Sequence, residues 1–321
     1  MGKAKNHRRR TNDLPLDQHP ELERKFVLKN LAKTENARRA YRAIFQAVVK
    51  DREGFPDLSA LAGLKTRRSV EYKDGRHRLY YADADFIAAR AHWELRLQVD
   101  SGLLMIKQGN GADNDHPTLD RQETKYQMAR PIIGTLDDIR KNSENSRKAP
   151  KALRELFNDR VKDCKLYPVV ETCSTRNKLV YYRPVRHAGR EYRIAFEFAL
   201  DKGEARVIDG SRYKIDQIEL EVKRVVDTET GIDVLDHPDA LSLTIGEVKK
   251  DIVEPALDEE QQLLVKRFSL KSVFDSKPKI GLARAKVLMQ TDEGMVAAEA
   301  ARDRHLSASF WQSLKPESVA V

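Results

Sequence analysis

Carboxylates and cations alternate with apolar residues in stretch after stretch of this chain, beginning with PELERKFVLK at residues 20–29. On a β-strand, successive side chains point to opposite faces. Glu21, Glu23 and Lys25 then share one face, and Leu22, Arg24 and Phe26 take the other. EYRIAFEFALD sets Tyr192, Ile194, Phe196, Phe198 and Leu200 against Arg193, Glu197 and Asp201, and QIELEVK sets Ile218, Leu220 and Val222 against Glu219, Glu221 and Lys223. Lys107 sits in the otherwise apolar LMIKQ, Arg96 and Gln98 share a face of ELRLQV, Arg121, Glu123 and Lys125 line up in RQETK, and Arg176 and Lys178 do so in STRNKL. Any one of these reads as an amphipathic strand with a wet face. Their repetition suggests a sheet closing on itself with its charged faces inward. Burying an unpaired charge costs several kcal/mol, so charges there must be paired or ion-bound. Grouped carboxylates are oxygen ligands for Mg²⁺ or Mn²⁺. Arg and Lys among them suit the oxygens of a polyphosphate.

The elements that must position these residues follow from periodicity. NARRAYRAIFQAVVKDRE (36–53) has apolar residues at helical spacing, Ala40, Ile44, Ala47 and Val48. HRLYYADADFIAARAHWELRLQVD predicts strand, short helical segment, strand, and GLLMIKQG and RQETKYQM predict two more strands. TLDDIRKNSENSRKAPKALRELFND reads as helix, polar linker, helix. Strands are then expected at KLYPVVETCSTR, KLVYYRPV, EYRIAFEFALD, EARVIDG and DQIELEVKRVV. From Pro238 the pattern turns helical through DALSLTIGEVKKDIV, DEEQQLLVKRFSLKSVF and TDEGMVAAEAARDRHLSASFWQSL. The class is α+β: a mostly antiparallel sheet, closed into a charged tunnel barrel, with helices packed outside.

With 321 residues, 40% of them hydrophobic, the chain can bury a sizeable core. The net charge of +9 favours anionic partners. GKAKNHRRR at the start reads as a solvated basic tail, with nucleic-acid contact as its lesser role. Cys164 and Cys173 form no disulfide framework and have no metal-ligand spacing, which fits a reduced cytosol. No apolar run of about 18 residues predicts a membrane span, and no apolar segment of a secretory signal follows the basic start. His187, in the turn sequence RHAGRE, and His305 are expected at the surface, with Phe310 and Trp311 anchoring the last helix.

ELERKF resembles the E-x-E-x-K signature of the CYTH superfamily, the triphosphate tunnel metalloenzymes, which include inorganic triphosphatases, thiamine triphosphatases and class IV adenylate cyclases. Further blocks follow in family order: LYYADADFIAARAHWELRLQ, LLMIK, RQET, VVETCSTRNKL, FEFALDKGEA, QIELEVK and FDSKPKIGL. The resemblance implies a tunnel domain over residues 18–290 with a loop-helix insert at about 110–163, preceded by the basic tail 1–17 and followed by a helical tail 291–321.

It also implies roles. Glu21, Glu23, Glu219, Glu221 and Glu197 would hold Mg²⁺ or Mn²⁺. Lys25, Arg96, Lys107, Arg176, Lys178 and Lys277 would grip triphosphate oxygens, and Glu123 and Asp201 would be further acidic ligands or orient water, with Lys25 also serving catalysis. The expected activity is metal-dependent hydrolysis of inorganic triphosphate or a related organic triphosphate. A class IV cyclase and a non-catalytic polyphosphate or RNA 5′-triphosphate binder are the alternatives, and a homodimer is left open. The sequence departs from the family pattern at Gln98, where a second Arg is usual, at YYADAD in place of Asp-Thr-Pro, and at Lys125, where many members carry a second acid.

Overall fold

The computed structural model describes residues 17–29, 37–52, 70–91, 93–109, 119–129, 132–142, 164–273 and 279–307. In chain order, β1 (Asp17–Leu28) is followed by α1 (Ala37–Arg52), β2 (Val70–Ala82), the single turn α2 (Ile87–Arg90), β3 (Trp93–Gln98), β4 (Leu103–Gly109), β5 (Leu119–Gln127) and α3 (Leu136–Asn142). The long strands β6 (Tyr167–His187) and β7 (Arg190–Val207) come next, then β8 (Arg212–Lys214) and β9 (Gln217–Asp227). A helical run follows: α4 (Ile245–Glu247), a π-helical segment (Val248–Val253) and α5 (Glu254–Phe268). It leads to β10 (Leu270–Val273), α6 (Lys279–Leu288) and α7 (Asp292–Leu306).

The class is α+β, and every ladder between named strands is antiparallel. The strands form one 10-stranded sheet in the order β10-β1-β5-β4-β3-β2-β6-β7-β8, with β9 paired to both β1 and β7. β5 falls within the stretch expected as an insert, yet it pairs with β1 and β4, so that part of the stretch belongs to the sheet.

Two expected breaks are absent. β6 and β7 are single strands of 21 and 18 residues rather than two strands each. They pair continuously from Val170–Val207 to His187–Arg190. Gly203 remains inside β7 because a Cβ there would stand 2.3 Å from the Cys173 carbonyl oxygen, an approach open only to glycine. The two strands are joined by Ala188 (φ 49°) and Gly189 (φ 80°), both left-handed, as a two-residue turn matching the strand twist requires. A third difference lies in RFSLKSVF. The helix stops at Phe268, Ser269 turns left-handed (φ 51°), and Leu270–Val273 becomes a strand on the edge of β1. The three-residue β8 was not legible as a strand.

The apolar faces are covered by helices. Tyr41, Ile44, Phe45 and Val48 of α1 join Phe26, Phe196, Phe198, Ile218 and Leu220 in one core, where the Phe45 and Phe198 rings stack at 5.8 Å. A second core gathers Leu79, Leu95, Leu97, Leu104 and Ile106 under Leu136 and Ile139 of α3. Arg24 lies on the apolar face of β1, fully buried, because α5 supplies its partners. Its Nη2 is 3.0 Å from Glu254 Oε2 and 2.8 Å from Asp258 Oδ1, and its Nη1 donates to Gln261 Oε1 at 3.1 Å. His305, expected at the surface, is buried instead: α7 packs on the sheet and brings its Nε2 within 2.5 Å of the Tyr81 hydroxyl oxygen. Burial pushes the His305 pKa down to about 4. Among the described residues, no helix is long and apolar enough to cross a membrane.

Candidate metal and phosphate site

Strand register creates the first group of charges. Across β1, β9 and β7, Glu23 lies opposite Glu221, and Glu221 lies opposite Glu197. Three carboxylates thus occupy one row across neighbouring strands, where like charges repel at about 5 Å between Cβ atoms. The next position along β1 and β9 pairs Lys25 with Glu219. All five residues are buried.

Cations hold this row together. Lys25 Nζ is 3.0 Å from Glu23 Oε1 and 3.8 Å from Glu219 Oε1, and Lys223 donates to Glu221. Arg176 of β6 lies opposite Asp201 of β7 and meets it as a fork, Nε to Oδ1 at 2.8 Å and Nη2 to Oδ2 at 2.6 Å. Its Nη1 donates to Glu197 at 3.2 Å, and its Nη2 also bonds Glu219. Lys178 reaches Glu197 at 3.1 Å, and the Gln217 amide donates to Glu219 at 2.7 Å. Burial opposes the Arg176 charge, but Glu219, Glu197, Glu221 and Glu23 more than reverse this and hold its pKa above the usual arginine value. Burial likewise pushes Glu197 up, and Lys223, Arg176 and Lys178 bring it below the ordinary carboxylate range.

The second group lies on β3, β4 and β5, where Lys107 is opposite both Glu94 and Glu123. Glu123 takes Arg96 Nη2 at 3.1 Å and Lys107 Nζ at 3.3 Å on one oxygen, and Lys125 Nζ at 3.1 Å on the other. Burial alone would raise its pKa; Lys107, Arg96 and Lys125 hold it well below the usual range.

Sequence reasoning missed Arg78. It is 4% exposed on β2, opposite Gln98 of β3 and Thr172 of β6. It shares a face with Tyr80, which lies opposite Arg96. The alternation that placed Arg96 would have placed Arg78 as well, had HRLYY been compared face by face.

Of the expected site residues, Glu23, Lys25, Arg176, Lys178, Glu197, Asp201, Glu219 and Glu221 come together in the first group, and Arg96, Lys107 and Glu123 in the second. Glu21 lies in β1 opposite Arg121. The Glu21 side chain, Lys277, Phe310, Trp311 and the tail 1–16 lie outside the described residues. No three carboxylates, imidazoles or thiols among the described residues surround a common point as metal ligands. Each carboxylate of the row is instead turned toward a cation.

No family model and no curated protein matches the chain. Among solved structures, it is similar to a Bacillus halodurans protein whose crystal structure is described as that of "a putative adenylate cyclase", at 12% identity and a TM-score of 0.38, over 81% of this chain and 95% of that one.

The two groups differ in what they can bind. The first sets carboxylates, oxygen ligands of the kind a hard divalent cation takes, each against a cation of the protein. The second directs Arg96, Lys107 and Lys125 at a single acceptor, the chemistry of an oxyanion cradle. Cys164 and Cys173 have no part in either group, and burial raises the pKa of both thiols.

Proposed function

We propose that the chain is a divalent-metal-dependent triphosphatase acting on inorganic triphosphate or a related organic triphosphate, bound in a tunnel lined by the charged face. The observation that carries this reading is the cross-strand row Glu23–Glu221–Glu197 beside a cluster of buried cations. The pairing of β9 with both β1 and β7 supports closure, because the ladders β1-β5-β4-β3-β2-β6-β7-β9 then return to β1. The order of sequence motifs resembling the triphosphate tunnel enzymes supports the substrate class.

The donor set fits Mg²⁺ or Mn²⁺, with Glu23, Glu221 and Glu197 as the residues that would hold it and Glu21 and Glu219 as neighbouring candidates. When bound, the ion would neutralise phosphate oxygens and acidify a water. The protein's own work is positioning and charge stabilisation. Lys25, two residues beyond Glu23, stands about 6.5–7 Å along β1, near the span between adjacent phosphates. Lys107, Arg96 and Lys178 hold further oxygens. Arg176 spends its fork on Asp201, Glu197 and Glu219. Its role is therefore to keep those carboxylates charged and in place rather than to grip phosphate. Asp201 positions Arg176, and Glu123 is the group left to orient water near the base-rich cluster.

Phosphate and pyrophosphate release should be measured over inorganic triphosphate, thiamine triphosphate and ATP, with Mg²⁺, Mn²⁺ or EDTA. Metal-dependent phosphate release from a triphosphate is expected. Pyrophosphate release from ATP without phosphate would assign a cyclase instead, and tight triphosphate binding without turnover would assign a binding protein.

A further inference from the structure

Arg78 differs from every other buried cation described above. Lys25, Arg24, Lys107 and Arg176 each face at least one carboxylate within 4 Å. Arg78 forms no ion pair among the described residues, and its Nε has no hydrogen-bond partner, although the residue is only 4% exposed. An unpaired buried guanidinium is costly, and folds keep one only where something else supplies the anion. Its surroundings leave the cost in place: burial and the like charges of Arg96 and Arg176 lower its pKa, and the opposing effects of Tyr80 and Glu219 do not restore it. Those neighbours also locate it. β2 runs between β3, which carries Arg96 opposite Tyr80, and β6, which carries Arg176, so Arg78 stands between the base-rich and acid-rich groups.

We propose that Arg78 is an anion-binding residue of the charged face, placed to take an oxygen of the phosphate chain where that chain passes from the basic cradle toward the carboxylate row. The inference rests on the triphosphate reading of the site and adds a residue to it. Arginine suits the position because its planar fork can hold two oxygens of one phosphate. Register gives a direct way to move the charge. Gln98 is the cross-strand partner of Arg78 on the same face, so an arginine at 98 would deliver a guanidinium to the same space.

The test compares wild type, Arg78→Met and the double variant Arg78→Met/Gln98→Arg. Calorimetric titration with inorganic triphosphate in EDTA isolates the anion contacts, and thermal unfolding is followed with and without triphosphate. Arg78→Met should weaken triphosphate binding roughly 10- to 100-fold, the size of a lost charged hydrogen bond. Its ligand-free melting temperature should equal or exceed that of wild type, because an uncompensated buried charge is gone. The double variant should recover most of the affinity. Unchanged affinity in Arg78→Met would overturn the assignment while the triphosphate reading stands, since wild type still binds. A ligand-free melting temperature below wild type, or failure to fold, would make Arg78 a structural residue and overturn it as well. If wild type itself binds no triphosphate, the site reading fails first and this inference with it.

Discussion

On β1, β6, β7 and β9 the charged face gathers Glu23, Glu197, Asp201, Glu219 and Glu221 against Lys25, Arg176, Lys178 and Lys223, whereas on β3, β4 and β5 it gathers Arg96, Lys107 and Lys125 against Glu94 and Glu123. Both halves arise from the same device, charged residues at every second position of paired strands, yet their excess charges have opposite sign. In the acid-rich half carboxylates stand opposite one another, an arrangement that gains nothing for the fold alone. In the base-rich half three cations share one carboxylate. A face built only for stability would balance the signs in each half. This one leaves an acid excess in one half and a basic excess in the other, which suits a ligand that is itself divided into a metal and a polyanion.

The sharpest way to break the contrast is Arg176→Met. That change strips the common partner from Asp201, Glu197 and Glu219 at once. Breaking a buried pair by removing one member costs about 3–5 kcal/mol, and urea denaturation at pH 7 should register a loss of that size. Added Mn²⁺ should restore more stability to the variant than to wild type, because carboxylates freed of Arg176 become better ligands. A loss below about 1 kcal/mol would show that Arg176 does not hold the acid-rich half together.

Glu23→Gln removes one end of the carboxylate row without exposing a new unpaired acid. We expect kcat/KM for the triphosphate to fall roughly 100- to 1000-fold, about 2.7–4 kcal/mol, while the melting temperature without metal changes little, because relief of repulsion from Glu221 offsets the lost contact with Lys25. Phosphate release at the wild-type rate would remove Glu23 from the metal site.

Lys25→Met and Lys107→Met compare single cations from the two halves. Each should cost about 2–3 kcal/mol in kcat/KM, the range of a charged contact. They should differ in a second measurement. Lys25 lies against Glu23, so its removal should leave metal affinity equal or higher, whereas Lys107 lies against Glu123 and should leave it unchanged. Lowered metal affinity in Lys25→Met would contradict the proposed division of labour.

Most of this charged face was legible in the sequence because strand alternation is a strict period of two, so Glu219, Glu221 and Lys223 had to share a face opposite Ile218, Leu220 and Val222. Cross-strand neighbours were not legible. That Glu221 stands between Glu23 and Glu197 depends on register between strands nearly 200 residues apart in sequence, which no local pattern encodes. The lengths of β6 and β7 were hidden for a related reason: Gly203 and Asn177 look like breaks locally, and pairing overrides them. Arg24 and His305 show the same limit on the apolar side. Alternation placed Arg24 beside Leu22 and Phe26 without revealing its partners, and His305 was expected at the surface; α5 and the Tyr81 hydroxyl supplied partners from far along the chain.

The smallest effect expected is the response of the base-rich half to acid. Glu123 has its folded pKa depressed below the unfolded value of about 4.3. A carboxylate of this kind contributes stability that is present above the unfolded pKa and is lost as pH falls toward the folded one. Glu123→Gln should therefore be less stable than wild type at pH 7, by about 1–2 kcal/mol, and the gap should narrow as pH falls below about 4. Urea titrations at both pH values measure it, and a gap constant with pH would mean that the Glu123 charge contributes nothing. Glu197 is depressed too, so the pH sign alone does not separate the halves. An added anion does. In Glu123→Gln the cations Arg96, Lys107 and Lys125 lose their shared acceptor, and inorganic triphosphate in EDTA should stabilise this variant more than wild type. In Glu197→Gln, Arg176 keeps Asp201 and Glu219, Lys25 keeps Glu23 and Lys223 keeps Glu221, so few cations are freed and the same addition should give it no such advantage. Equal stabilisation of the two variants would dissolve the distinction between the halves.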